Sequence, residues 1–211
     1  MKQFRLIAFI ALFLCAQARA AVVYNNFGSG DTYLTNIGWT VGLSPSGITF
    51  VDGDRFSVTG SDYLLDSITL PLAYNDGPSR DADIQLRADT GGLPGGVIEA
   101  FHFINLPSLS PIPTLPVVAT SVAHPLLHDG EQYWITASAA DPSMLVWQMN
   151  SIHDEGLHAA SVDGSPFTTV SGVRGAFRVE GTAVPEPATT VLSLLGASSL
   201  CRFRRRTDPR R

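Results

Sequence analysis

Hydrophobic and polar residues alternate in short segments along most of the chain. In the segment 83–88 the apolar residues Ile84, Leu86 and Ala88 fall on one side of an extended chain and the polar residues on the other, as in a half-buried strand. The segment 133–137 is rich in aromatic and β-branched residues, which fill pleated surfaces. Strands are predicted at residues 39–41, 55–58, 63–71, 84–88, 97–103, 117–123, 133–138, 144–148, 159–162 and 176–180.

Turn residues separate these strands. Glycine permits positive φ, and Asp or Asn side chains cap local backbone groups; such residues stand at 75–78, 89–96, 129–130 and 163–164. The proline-rich segment 107–116 cannot be a central strand, so we expect a long crossover loop or an edge there. No helical period is sustained before residue 187. The pattern predicts an all-β domain over residues 21–181, folded as an antiparallel β-sandwich or jelly roll.

The first 20 residues have the order of a secretory signal peptide. Lys2 and Arg5 are positive, residues 6–15 are apolar, and small residues precede a peptidase site at Ala20. An apolar run of about ten residues is too short to anchor the chain in a bilayer of roughly 30 Å. We expect an N-terminal signal helix, removed by signal peptidase between Ala20 and Ala21.

Residues 182–211 have a different composition. Val184, Pro185, Glu186 and Pro187 are followed by an uncharged run at 188–201 and an arginine-rich end at 202–211, in which Arg202, Arg204, Arg205 and Arg206 form a basic stop. As a helix the run is about 21 Å long, a marginal transmembrane helix. Arginines beyond an apolar segment tend to stay cytoplasmic, which leaves the β domain outside the inner membrane.

The charge and the cysteine content of the chain exclude several classes of partner and site. Between residues 21 and 187 there are five basic and 18 acidic residues, a formal charge of −13, and no lysine. Such a surface repels phosphate backbones, so we expect no nucleic-acid partner. The two cysteines, Cys15 and Cys201, lie in the terminal segments, so the β domain has no disulfide, thiolate metal site or cysteine nucleophile.

Candidate catalytic and metal-binding patterns are weak. His153 and His158 are five residues apart, not the four of a zinc-protease helix, and we predict a solvated loop there. The pairs Asp52/Asp54 and Asp81/Asp83 suggest turn residues or, less strongly, a structural calcium, but no Ca²⁺-loop motif surrounds them. Glu99 and Glu131 are the candidate carboxylates of a glycosidase, one in a strand and the other beside a turn. His102, His124 and His128 have no spacing that singles them out. We expect no enzyme and no cofactor.

Three tryptophans raise the alternative of a carbohydrate-binding module. Trp39, Trp134 and Trp147 all lie in strand-like segments. A tryptophan ring on a β surface can stack on a pyranose, whereas the same ring turned inward packs the core. The sequence leaves both interpretations open, with core packing favoured.

Two resemblances follow from these residues. Pro185-Glu186-Pro187, the short apolar run and the arginine end resemble the PEP-CTERM sorting signal of Gram-negative bacteria, which an inner-membrane exosortase recognises. The segments 24–28, 38–41, 89–95, 133–135 and 174–177 resemble a choice-of-anchor domain, an exported β domain without established catalytic activity. Together the two resemblances imply an exported, non-enzymatic protein. It would be tethered to the inner membrane before processing and then located at the cell surface or in the extracellular matrix. The implied partners are signal peptidase, an exosortase and exopolysaccharide.

Overall fold

The computed structural model describes residues 20–110 and 115–184. These residues contain no helix, and therefore none that is long and apolar enough to cross a membrane. The strands are β1 (Ala20–Asn25), β2 (Tyr33–Leu43), β3 (Thr49–Ser57), β4 (Tyr63–Leu70), β5 (Leu72–Asp76), β6 (Ala82–Thr90), β7 (Leu93–Phe103), β8 (Val117–Thr120), β9 (Leu126–Leu127), β10 (Gln132–Ala139), β11 (Met144–Asn150), β12 (Glu155–Val162), β13 (Thr168–Val173) and β14 (Arg178–Ala183). The predicted all-β fold is confirmed. The predicted helices at 1–20 and 188–201 lie outside the described residues.

The strands form two sheets. The smaller sheet has the order β1-β14-β4-β8, with β9 also paired to β4. The larger sheet has the order β5-β11-β2-β3-β10-β6-β7, and β12 pairs with β3 and carries β13. All pairings between these strands are antiparallel, as the sequence predicts.

One hydrophobic core is shared by the two sheets. The smaller sheet contributes Leu65, Ile68 and Val179, and the larger contributes Ile84 and Ile135, all fully buried. Each such aliphatic side chain stabilises the fold by about 2 kcal/mol through burial. The period-two pattern of the sequence therefore identifies the faces that pack together.

The hairpin between β6 and β7 shows how the glycine-rich run folds. Thr90 pairs with Leu93, so only Gly91 and Gly92 form the turn, with φ of 62° and 83°. Two consecutive residues with positive φ are typical of a type I′ hairpin turn, which favours glycine at these positions. The strands thus extend further into the run 89–96 than the sequence pattern indicates.

Four strands are absent from the prediction. These are β1, β5, β9 and β13. A single residue, Pro71, separates β5 from β4, β9 has two residues, and β13 contains Ser171 and Gly172, which are poor strand formers. In the smaller sheet β1 pairs with β14, and Ala20 lies opposite Thr182.

Candidate functional site

The most concentrated buried charge lies where β12 pairs with β3. His158 is directly opposite Asp54 in the register, and Asp52 lies two residues before Asp54 on the same face of β3. His158 Nδ1 is 3.1 Å from Asp54 Oδ1, and His158 Nε2 is 3.1 Å from Asp52 Oδ1. All three residues are at most 3% exposed. We call His158, Asp52 and Asp54 the triad.

Trp39 of β2 covers the triad. Its ring stacks on the His158 ring with 3.8 Å between centroids and 13° between planes, and its indole N–H donates to the Val173 carbonyl at 3.2 Å. The Gly175 amide donates to Asp54 Oδ2 at 2.7 Å. Asp52 Oδ2 is buried without a hydrogen-bond partner among the described residues.

The triad carries an imidazolium at neutral pH. Burial by itself would lower the pKa of His158, but its hydrogen bonds to Asp52 and Asp54 and their charges outweigh that effect and raise the pKa to about 9. Burial raises the pKa of each aspartate, an effect that the bond to His158 opposes. With the proton retained, both imidazole nitrogens donate, each to one carboxylate.

A second polar group adjoins the triad. Arg174 pairs with Asp154, which also accepts hydrogen bonds from the Tyr24 hydroxyl and Asn26 Nδ2. Burial and the bond to Asp154 raise the pKa of Tyr24. Burial would raise the pKa of Asp154, but its bonds from Tyr24 and Arg174 prevail and lower it.

Asn26 links the second group to the segment beside the triad. Its Nδ2 donates to the Gly175 carbonyl at 2.9 Å, and its Oδ1 accepts from the Phe177 amide at 2.7 Å. Arg174 also donates to the Arg55 carbonyl of β3. Both polar groups therefore tie β1, β3 and β12 to the segment that precedes β14.

The chemistry of the triad is that of a structural charge network. A histidine that activates a nucleophile needs one ring nitrogen facing a hydroxyl or thiol. Here both nitrogens face carboxylates, and the ring is 2% exposed. Within residues 20–110 and 115–184, no group of three or more His, Cys, Asp or Glu side chains has a geometry that could hold a metal ion.

The structure corrects two sequence interpretations. Asp52 and Asp54 are not turn residues, because they lie inside β3 and face the core. His158 is not in a solvated loop, because it lies in β12 and is buried, whereas His153 is exposed in the loop before β12. One signal was available in the sequence, since Asp52 and Asp54 continue the period-two series of the core residues Phe56 and Val58.

The other candidate carboxylates are dispersed. Both Glu99 oxygens are occupied, since they accept hydrogen bonds from the Ser121 hydroxyl and from the amides of Val122 and Ala123. Glu131 is exposed beside a turn. Among the remaining sites, Asp81 accepts from the Asn105 amide, Asp83 pairs with His102, His124 contacts the Leu65 carbonyl and His128 pairs with Asp62.

The tryptophans separate into two classes. Trp134 and Trp147 are fully buried, and their indole N–H groups donate to Asp89 Oδ1 and to the Ala176 carbonyl. Their ring faces are covered by protein and offer no platform to a sugar. Trp39 is half-buried, and at least one ring face is occupied by His158.

The predicted processing residues lie at the ends of the described chain. Ala20 and Ala21 begin β1, and Val184 follows the end of β14. Pro185, Glu186, Pro187, Arg202, Arg204, Arg205 and Arg206 lie outside the described residues.

Comparison with known proteins gives no relative for this chain. No protein-family model matches it, and no curated protein and no solved structure is significantly similar to it.

Proposed function

We propose that this chain is an exported, non-enzymatic surface or extracellular-matrix protein that an exosortase-type system sorts through its C-terminal tail. The observation that carries the proposal is the antiparallel pairing of β1 with β14, in which Ala21 lies opposite Gly181. Because β1 and β14 are antiparallel neighbours, the chain enters and leaves the β domain at the same end of the smaller sheet. The segments before Ala20 and after Ala183 are therefore attached to the domain at this one end.

The strand that leads to the tail is well fixed. β14 lies between β1 and β4 and has ladder partners on both sides. A tether that begins at Val184 is therefore attached to a strand that two neighbouring strands hold by backbone hydrogen bonds. This is a suitable attachment for a domain that is held at a membrane before release.

The β domain supports the proposal through its fold and charge. The core shared by two sheets supports a β-sandwich, the architecture expected for an exported β domain. Its arginines are engaged in the domain: Arg55, Arg174 and Arg178 in ion pairs, Arg87 in hydrogen bonds and Arg80 over the Tyr74 ring. The remaining acidic surface keeps the exported domain soluble.

Replacement of the tail motif tests the sorting proposal. Pro185, Glu186 and Pro187 are changed together to alanine, and the protein is expressed in a host with the sorting enzyme. The expected result is an intact mass that still includes the residues after 187, whereas the native chain loses them. A matched control with Thr189→Ser and Thr190→Ser alters the same segment and should be processed normally. Unchanged processing of the alanine variant would falsify the proposal.

Carbohydrate binding is the second candidate, because a shallow groove crosses β2, β11 and β5. No charged side chain lines it, although the domain is strongly acidic. Asn36 and Thr40 line the groove, and within residues 20–110 and 115–184 their side chains form no hydrogen bond. Uncharged polar groups beside apolar residues suit a neutral sugar. Retardation in a gel containing neutral polysaccharide, lost in Asn36→Ala and kept in the exposed-strand control Thr120→Ala, tests this candidate.

A further inference from the structure

The sheets expose several edge strands, and most of them carry a feature that prevents further pairing. Natural proteins protect edges with proline, charge, bulges, short strands or a covering loop. A β-bulge interrupts β1, and β8 has four residues and follows Pro116. β7 contains Pro94, Glu99 and two register shifts, and β5 is covered by a segment that bonds to the backbone of Tyr74.

β13 has none of these protections. Thr168–Val173 contains no charge and no proline, and its register with β12 is continuous over six residue pairs. The backbone of residues 168–172 makes no hydrogen bond to any strand but β12 in the described part of the chain. The side chains are Thr, Val, Ser and Gly, and Val170 is 57% exposed. Thr168, Thr169, Val170 and Val173 are β-branched, and uncharged segments without proline that are rich in such residues pair readily with another strand.

We propose that β13 is a pairing edge, and that its occupant is β13 of a second copy of this chain. An isologous antiparallel contact places a strand opposite itself. Two copies of so acidic a domain repel each other at most surfaces, with a range of about 8 Å at physiological salt. At β13 the facing strands carry no charge, so the unpaired amide and carbonyl groups of the two edges can meet without opposing carboxylates.

Two alternatives differ in what they predict. An extended segment of another exported protein could occupy the edge, in which case the purified protein alone is monomeric. The groove between β2 and β5 does not adjoin β13 in the sheet order, so sugar binding there leaves self-association unchanged. The inference is independent of the sorting tail, since it concerns the β domain alone.

Sedimentation equilibrium of the purified full chain tests the inference. Ser171→Lys puts on β13 the residue that natural edge strands use against pairing, and the two-fold axis brings the same positive charge of the second copy close to it. The control Thr120→Lys makes the same charge change at an exposed position of β8. We expect a reversible dimer that strengthens from about 0.02 M to about 0.5 M salt. Ser171→Lys should weaken it about tenfold, a change of about 1.4 kcal/mol, and Thr120→Lys should not.

Three results would overturn the inference. These are a monomer at every concentration and salt, a dimer that Ser171→Lys leaves unchanged, and an equal loss in both variants. Urea unfolding of both variants accompanies the measurement, so that a loss of association is assigned to the edge only in a folded protein. If Ser171→Lys does not fold, Thr169→Lys on the same strand replaces it with the same expected result.

Discussion

The half-buried Trp39 lies face to face with the buried His158, with ring centroids 3.8 Å apart. An aromatic face is electron-rich, so it attracts a cation placed above it. His158 is also held between two carboxylates and carries a proton at neutral pH. The tryptophan thereby covers one face of the imidazole ring that links Asp52 and Asp54.

The stability of the protein should fall as the pH rises from about 6.5 to about 9. The folded-state pKa of His158 is about 9 against an ordinary value of 6.5, so the folded protein binds this proton more tightly than the unfolded chain. The stabilisation is complete below pH 6.5 and is lost as the pH rises through about 9, up to about 3 kcal/mol. Urea unfolding across this range measures it. His102→Gln, at an exposed pair, should keep the pH dependence, and replacement of Asp52, Asp54 and His158 by Val, Leu and Leu should abolish it. A flat native profile contradicts the assignment.

Removal of His158 alone should destabilise the protein more than removal of the whole triad. His158→Ala leaves two buried carboxylates unpaired, and breaking a buried ion pair costs about 3–5 kcal/mol. Replacement of Asp52, Asp54 and His158 by Val, Leu and Leu removes the charges as well as their attraction, so its cost should be smaller. The free energy of unfolding in urea compares the two variants. His128→Ala, at an exposed pair, serves as the control and should unfold like the native chain.

The sequence predicted the fold class better than it predicted the interior. Alternation located most strands because their apolar faces point to one core, as in Ile84 and Leu86. The triad escaped prediction because its members are 104 and 106 residues apart and meet only through the β3–β12 register. Asp54 occupies a core position that periodicity alone would fill with an apolar residue, and the partner that makes it tolerable is distant in the chain. β13 was missed for the opposite reason, since it is an edge strand with no buried side chain.

Gly175→Ala should destabilise the protein by about 1–3 kcal/mol. A Cβ on Gly175 would stand 2.5 Å from Nε1 of Trp147, a ring fixed in the core, and overpacking a filled core costs this much. The shift would also move the amide that donates to Asp54. Gly172→Ala is the matched control three residues earlier, because a Cβ there meets nothing within 4 Å. Thermal unfolding compares the two variants. Equal melting temperatures would show that residues 174–177 shift to accept the Cβ without loss of stability.

Glu99→Ala should destabilise the protein and Glu131→Ala should not, and we expect no glycan hydrolysis that depends on either residue. Glu99 joins β7 of the larger sheet to the loop after β8 of the smaller one through three hydrogen bonds. Burial would raise its pKa, but these bonds prevail and lower it. The stabilisation is therefore present above the ordinary glutamate pKa of 4.5 and is lost as the pH falls through the folded value.

Glu99→Ala should cost about 1–2 kcal/mol at neutral pH, since the loop amides lose their acceptor. The exposed Glu131→Ala should cost nothing measurable, and the difference between the two should shrink in acid. Unfolding measured for both variants at neutral and acidic pH tests this, alongside a glycan-hydrolysis screen. If the native chain hydrolyses a glycan and both substitutions abolish that hydrolysis, the two glutamates are catalytic and the purely structural role of Glu99 is contradicted.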